Sequence, residues 1–218
     1  IDIAFLVDYT NSMSNDIGTV KSSIAGIINH IKTASNHPTA TYRLALGLFD
    51  EANGINQVPL YNSNNNYSSL PTAQREIQNG INATQFYTAF QKFANNNETA
   101  FTTQLNKLDN ASGGGMPMGG GGLGPEPGGL LVQKVINNDF LGAFRSGVAK
   151  ILVIVTDDIP GGNDQVQSNV DATLFNALTL QCNAAGIKVI VIGGGASDSL
   201  YSSLASNTGG TTNTSVNA

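Results

Sequence analysis

Apolar residues fall in short continuous runs that alternate with longer stretches where they recur every three or four positions. Residues 2–7, Asp-Ile-Ala-Phe-Leu-Val, read as a short buried strand. From Asp16 the period turns helical, with Ile17, Val20, Ile24, Ile27, Ile28 and Ile31 on one face. Residues 42–49 alternate as a strand does, and residues 56–61 read as an edge strand beside it. A polar loop follows at 62–70, then helices are predicted at about 72–78, 83–95 and 98–108. In the second of these, Phe86, Phe90 and Phe93 form a stripe that reads as core.

Residues 110–129 are too rich in glycine for a helix or a central strand. A helix resumes at Leu130. Residues 150–156 are continuously apolar, as in a sheet covered on both faces, and 187–193 repeat that character. Helices are predicted at 167–185 and within 197–210, the last ending at glycine before a short edge strand. Strand and helix in alternation predict a doubly wound α/β fold: a mostly parallel central sheet with helices on both faces. The runs at 2–7, 151–156 and 187–193 are its expected centre. The chain reads as one domain over 1–218, with 50–125 as insertions.

Composition narrows the function. Charged residues make up 11% of the 218, against roughly 25% in average usage, and the net charge of −5 argues against a nucleic-acid binder. No apolar run approaches the roughly 20 residues of a membrane span. Asn, Ser, Thr, Gln and Gly replace the missing charge, a surface expected of an extracellular, cell-surface or virion protein. The chain starts without Met and reads as a processed product or a piece of a longer chain. The single cysteine, Cys182, lies in a helical pattern and reads as a buried small hydrophobe. Asn-x-Ser/Thr triplets stand at Asn66, Asn82, Asn97, Asn110 and Asn213, as chance also allows in a chain of this composition.

Ligands of such sheets bind beyond the carboxyl ends of the strands. Those ends carry Asp8, Thr10 and Ser12 after the first strand, and Asp157 and Asp158 after the 150–156 strand. The glycine-rich segment delivers Glu126 just before a helix. Carboxylates and hydroxyls converge there without Lys or Arg, and like charges packed together call for a cation. Oxygen donors without His or Cys select a hard ion, Mg²⁺, Ca²⁺ or Mn²⁺. The plainer alternative is that these residues cap the following helix and turn. The glycine run lacks the Gly-Lys-Ser/Thr ending of a phosphate loop and does not directly follow a strand.

Asp-x-Thr-x-Ser after a first apolar strand resembles the metal-ion-dependent adhesion site of von Willebrand factor A domains, usually Asp-x-Ser-x-Ser. The resemblance covers nearly the whole chain: Leu-Ala-Ser-Asn-Thr-Gly-Gly at 204–210 is similar to the family's common ending, and Val-Thr-Asp-Asp at 155–158 to its fourth-strand Thr-Asp. The integrin β I-like domain is the closest likeness. Residues 124–135, Gly-Pro-Glu-Pro-Gly-Gly-Leu-Leu-Val-Gln-Lys-Val, resemble its Pro-Glu-Gly-Gly segment, and 42–51 its Arg-Ile-Gly-Phe-Gly strand. The resemblance implies Asp8, Thr10, Ser12 and Glu126 as metal ligands, with Asp157 acting through water or at an adjacent site. Gly128 and Gly129 are then expected to bring the backbone close to the first loop. Asn15, Asp16 and Asp158 match the place of a second, adjacent Ca²⁺, with Asn15 where integrins carry Asp. The Asn and Asp of the third integrin site are glycines here, and the chain stops before the family's last helix.

The implied function is adhesion: the ion keeps an open coordination position that a carboxylate from a protein partner completes. The other reading is structural, a domain within a surface or virion assembly whose neighbouring subunits it contacts, the ion only stiffening loops. Catalysis is not expected, since His30 and His37 fall at the far end of the first helix.

Overall fold

The computed structural model describes residues 1–34, 41–49, 87–108, 125–161 and 167–216. Its core is a six-stranded sheet in the order β3-β2-β1-β4-β5-β6. The strands are β1 (Asp2–Asp8), β2 (Arg43–Phe49), β3 (Tyr87–Gln91), β4 (Lys150–Val155), β5 (Ile187–Ile192) and β6 (Thr211–Asn213). All neighbouring pairs are parallel except β2 and β3. The helices are α1 (Ile17–Ala34), α2 (Glu98–Leu105), α3 (Gly128–Ile136), α4 (Asn169–Ala185) and α5 (Ser199–Asn207). This is the doubly wound, Rossmann-like α/β architecture that the sequence pattern predicts.

Alternation along β1 divides the core. Ile3, Phe5 and Val7 pack with Ile17, Val20, Ile24 and Ile28 of α1 and Phe101 and Leu105 of α2. Ala4 and Leu6 face the other way, onto Leu131 and Val135 of α3, Phe175 and Leu178 of α4, and Tyr201 and Leu204 of α5. Both faces of the sheet are thus covered, which is why β1, β4 and β5 need continuous apolar runs. Asp8 has the parity of Ala4 and Leu6, so its side chain belongs to the α3–α5 face.

The chain leaves β1 for β2 on one side and returns to β4 on the other. The carboxyl ends of β1 and β4 therefore flank the topological switch point, where such sheets open a crevice. At the opposite end, buried Asp2 takes hydrogen bonds from Arg43 (Nη2, 2.5 Å) and Arg145 (Nε, 2.9 Å; backbone N–H, 2.7 Å). These bonds outweigh the effect of burial, which alone raises a carboxyl pKa, and hold Asp2 down at about 2.

The predicted helix over 83–95 is corrected. Residues 87–91 form strand β3, antiparallel to β2. Phe90 enters the α1–α2 core while Phe93 packs on the opposite one, so the aromatics make no helical stripe. Pairing with the free edge of β2 satisfies the backbone, and the aromatic and β-branched residues suit a half-buried strand. Phe86 and the predicted elements at 56–61, 62–70 and 72–78 lie outside the described residues. Gly128 and Gly129, expected outside regular structure, open α3.

Cys182 is buried, and burial pushes its thiol up to about 11. Asn97 is buried: its Oδ1 accepts from Leu44 N–H at 3.0 Å and its Nδ2 donates to the Leu44 carbonyl at 2.8 Å. That side chain is a pin for β2. No helix among the described residues is long and apolar enough to cross a membrane.

Candidate metal centre

β1 ends at Asp8, which is completely buried, as is Thr10. The Oδ1 of Asp8 accepts from the Thr10 N–H at 3.0 Å and from the Thr10 hydroxyl at 2.7 Å. Its Oδ2 accepts from the Thr156 hydroxyl, just past the end of β4, at 2.9 Å. The Thr10 hydroxyl meets the Ser12 hydroxyl at 2.8 Å, and Ser12 Oγ reaches Asp157 Oδ1 at 3.1 Å. Ser12 is exposed, and Asp157 is half-buried, so the network runs from the sheet interior to solvent.

Thr10 stands at the N-cap of the 3₁₀ turn Asn11–Asn15, yet its side chain makes no capping bond. The capping explanation therefore fails for Thr10, whose hydroxyl is turned to Asp8. Asp8, Thr10 and Ser12 are brought together, and they are joined to Asp157 across the switch point.

Proton counting makes this network unusual. The contacts Asp8–Thr10, Thr10–Ser12 and Ser12–Asp157 are three oxygen–oxygen approaches, while Thr10 and Ser12 offer one hydroxyl proton each. With both carboxyls ionised, one approach has no proton. Either one of the two carboxyls carries a proton or a cation stands among these oxygens. Burial pushes Asp8 up to about 7; the Thr10 and Thr156 bonds oppose this, and the Asp157 charge adds to it.

Glu126 is buried too, and its segment is fixed by backbone bonds to the β4 exit. Its N–H donates to the Ile159 carbonyl at 2.9 Å, and its carbonyl accepts from Gly161 N–H at 2.6 Å and Gly128 N–H at 2.7 Å. Residues more than 30 positions apart thus form a parallel bridge, Glu126 to Pro160, beside Asp157 and Asp158. A Cβ on Gly128 would lie 1.8 Å from the Tyr201 hydroxyl oxygen, and one on Gly129 would lie 2.8 Å from the Phe175 ring. The two glycines are thus required by side chains of α5 and α4, rather than by the first loop as expected.

The other sequence candidates have local roles. Asp158 Oδ1 accepts from the N–H of the next residue, Ile159, at 2.6 Å. Asn15 is exposed at the end of the 3₁₀ turn, and the Asp16 carbonyl accepts the first bond of α1, from Val20 N–H, at 2.9 Å. No described hydrogen bond joins Asn15 or Asp16 to Asp158. His30 is exposed on α1, and His37 lies outside the described residues.

Two residues were not singled out from the sequence as part of the site. Thr156 lies in a segment the family resemblance touches, but only the fold turns its hydroxyl to Asp8. Tyr201, fully buried on α5, has its hydroxyl pKa raised by burial first and then by the charges of Asp8, Glu126, Asp198 and Asp158. Nothing in a helical Leu-Tyr-Ser-Ser-Leu pattern distinguishes it from ordinary core.

Among the described residues, no three His, Cys, Asp or Glu side chains are grouped closely enough to suggest a metal by themselves. The donor set at Asp8 is instead mixed, with hydroxyls between carboxylates, which is the chemistry of a hard oxygen-seeking ion. Comparison of the chain with protein-family models and with curated proteins finds no match.

Proposed function

We propose that the chain is a metal-dependent protein-binding module of the von Willebrand factor A type. One hard divalent cation, Mg²⁺ or else Ca²⁺ or Mn²⁺, is held by Asp8, Thr10, Ser12 and Glu126, with Asp157 acting through water. The observation that carries this reading is the proton shortage between Asp8, Thr10, Ser12 and Asp157, centred on a carboxylate with no exposure to solvent. A buried carboxyl either stays protonated or is matched by a positive charge, and its hydrogen-bond partners here are neutral hydroxyls and an amide.

Access supports binding to a partner. Asn11 and Ser12 are exposed, so an ion beside Ser12 has a solvent-facing side. A carboxylate from a protein partner is the chemistry that would complete a hard ion's sphere there. In this reading the chain works at an exterior surface, of a cell or a virion, and binds rather than catalyses. The Asn15, Asp16 and Asp158 set is the weaker candidate for a second Ca²⁺, because the Asp158 carboxylate is engaged with the Ile159 N–H.

The test is calorimetric titration of the metal-stripped chain with MgCl₂ and MnCl₂, beside Asp8→Ala and Asp158→Ala. Saturable binding that Asp8→Ala abolishes and Asp158→Ala leaves nearly intact is the expected result. Absence of binding by the wild-type chain would end the proposal. Capture of an Asp-containing peptide with Mg²⁺ and its loss in EDTA separates adhesion from a purely structural role, in which the ion binds but the peptide does not.

A further inference from the structure

Tyr201 presents an oddity that the metal-binding reading does not require. Its ring is fully buried and held edge-on against Phe175, with centroids 5.7 Å apart. Its hydroxyl, also buried, has no hydrogen-bond partner among the described residues. Buried hydroxyls without partners are rare, and each one asks for an explanation. A phenylalanine would fill the same space without leaving a polar atom dry.

The surroundings say what the hydroxyl is for. The charges acting on it are all carboxylates: Asp8, Glu126, Asp198 and Asp158. Each of the four has a partner of its own. Asp8 takes Thr10 and Thr156, Asp158 takes Ile159 N–H, and Asp198 caps α5 through Leu200 N–H at 2.8 Å and meets Gln167 at 3.2 Å. The hydroxyl itself lies against Gly128, where even a methyl group has no room. Gly128 N–H donates to the Glu126 carbonyl, so the phenol oxygen sits beside the turn that carries Glu126. In an environment of acceptors, a neutral phenol acts as a donor.

We infer that Tyr201 is a positioning residue of the cation site: its hydroxyl donates to the Glu126 carboxylate when that carboxylate turns onto the ion. The inference rests on the proposed cation site and adds a specific member to it. The donor lies in the core before the ion arrives, so it costs the fold an unmet hydrogen bond in the metal-free state and gains one in the loaded state. Hydrogen bonds of this kind orient ligating carboxylates, and their removal lowers metal affinity roughly tenfold or more.

The experiment compares the wild-type chain, Tyr201→Phe, Glu126→Gln and the double variant by calorimetric titration with Mn²⁺, with melting in EDTA alongside. Tyr42→Phe, a phenol bonded to Glu98 at the far end of the sheet, serves as the control. Expected are an unchanged or higher Tm for Tyr201→Phe in EDTA, a roughly tenfold loss of Mn²⁺ affinity, and a loss below about twofold when the same change is made in Glu126→Gln. Equal Mn²⁺ affinity for wild type and Tyr201→Phe overturns the inference and leaves the cation site standing. An equal loss in both backgrounds overturns it as well, since Tyr201 would then act elsewhere. A lower Tm in EDTA shows the hydroxyl satisfied within the metal-free fold, and also overturns it. A wild-type chain that takes up no Mn²⁺ overturns the cation site and the inference together.

Discussion

Thr156 donates its hydroxyl to Asp8 across the two central strands, at 2.9 Å, and both residues are completely buried. The bond joins the carboxyl ends of β1 and β4 at the point where the chain reverses its direction of travel through the sheet. The same oxygen also accepts from Asp158 N–H, at 3.3 Å. One small side chain thus sets the spacing between the first-strand acid and the fourth-strand acids. The glycines of the β5 exit close the other side: a Cβ on Gly193 or Gly195 would fall 2.3 Å from the Thr156 carbonyl oxygen or 2.1 Å from that of Asp158.

Thr156→Val keeps the shape and deletes the donor. In EDTA the variant should lose about 1–3 kcal/mol, because Asp8 is left with fewer partners in a dry site. Mg²⁺ affinity should fall roughly tenfold, as for other groups that orient a ligand. Urea unfolding and calorimetry measure the two effects, and Thr156→Ser, which keeps the hydroxyl, should recover most of both. A valine variant indistinguishable from wild type would mean that the bond does not organise the site.

Asp8 predicts an unusual pH dependence. Burial raises its carboxyl to about 7, far above the ordinary value near 3.9 that it has when unfolded. A raised acid favours the folded state below its unfolded pKa, and that stability is lost as pH rises through 7. The metal-free chain should therefore weaken between about pH 4 and 7, by on the order of 3 kcal/mol or roughly 5–10 °C in Tm. Asp8→Asn should flatten this dependence and melt higher than wild type at pH 8 in EDTA. Mg²⁺ requires the ionised form, so melting curves with Mg²⁺ and with EDTA should separate progressively from pH 5 to pH 8. Parallel curves across that range would remove Asp8 from the site.

Asp2 predicts the opposite sign at the opposite end of the sheet. Arg43 and Arg145 hold it down at about 2 despite its burial. A depressed acid contributes stability above its unfolded pKa and loses it as pH falls toward the folded value. The window is therefore about pH 4 down to 2, and the contribution near neutral pH is on the order of 2 kcal/mol. Asp2→Asn should cost at least that much at pH 7, because two guanidinium groups lose their common partner. It should leave Mg²⁺ affinity unchanged, since Asp2 begins the strand that Asp8 ends. Acid titration of the two proteins by circular dichroism checks the first claim and calorimetry the second.

The parts of this fold that were legible in the sequence are those decided locally. Continuous apolar runs marked β1, β4 and β5, because strands covered on both faces leave no room for polar alternation. Asp8, Thr10 and Ser12 were legible because they stand at the end of β1 and directly after it. β3 was not: Phe86, Phe90 and Phe93 have helical spacing, and only the free edge of β2 decides that residues 87–91 extend. Tyr201 and Thr156 escaped for a related reason. Each reads as ordinary core or strand end, and its meaning lies in what a distant segment places against its hydroxyl. Glu126 was visible as an acid before a helix, while the bonds that carry it to the β4 exit are backbone bonds and have no sequence signature.

Those backbone bonds supply the final prediction. Glu126 is tied to residues 159–161 through its own N–H and carbonyl, backbone bonds that a change confined to the carboxylate leaves in place. Glu126→Gln preserves shape and removes only charge. It should fold normally, with a Tm in EDTA equal to wild type or slightly higher, since one buried acid has been neutralised. Mg²⁺ affinity should fall about tenfold or more, as expected when a hard ion loses an anionic ligand in a site of few charges. Pro160→Ala is the counterpart that leaves the carboxylate in place. Pro160 offers no backbone N–H, and the neighbouring 126–159 and 126–161 bonds survive the change, so Mg²⁺ affinity should hold within about twofold. Melting in EDTA and titration with Mg²⁺ distinguish the cases. A Glu126→Gln chain that binds Mg²⁺ as wild type does would place the carboxylate outside the coordination sphere, leaving Asp8, Thr10 and Ser12 as the ion's protein ligands.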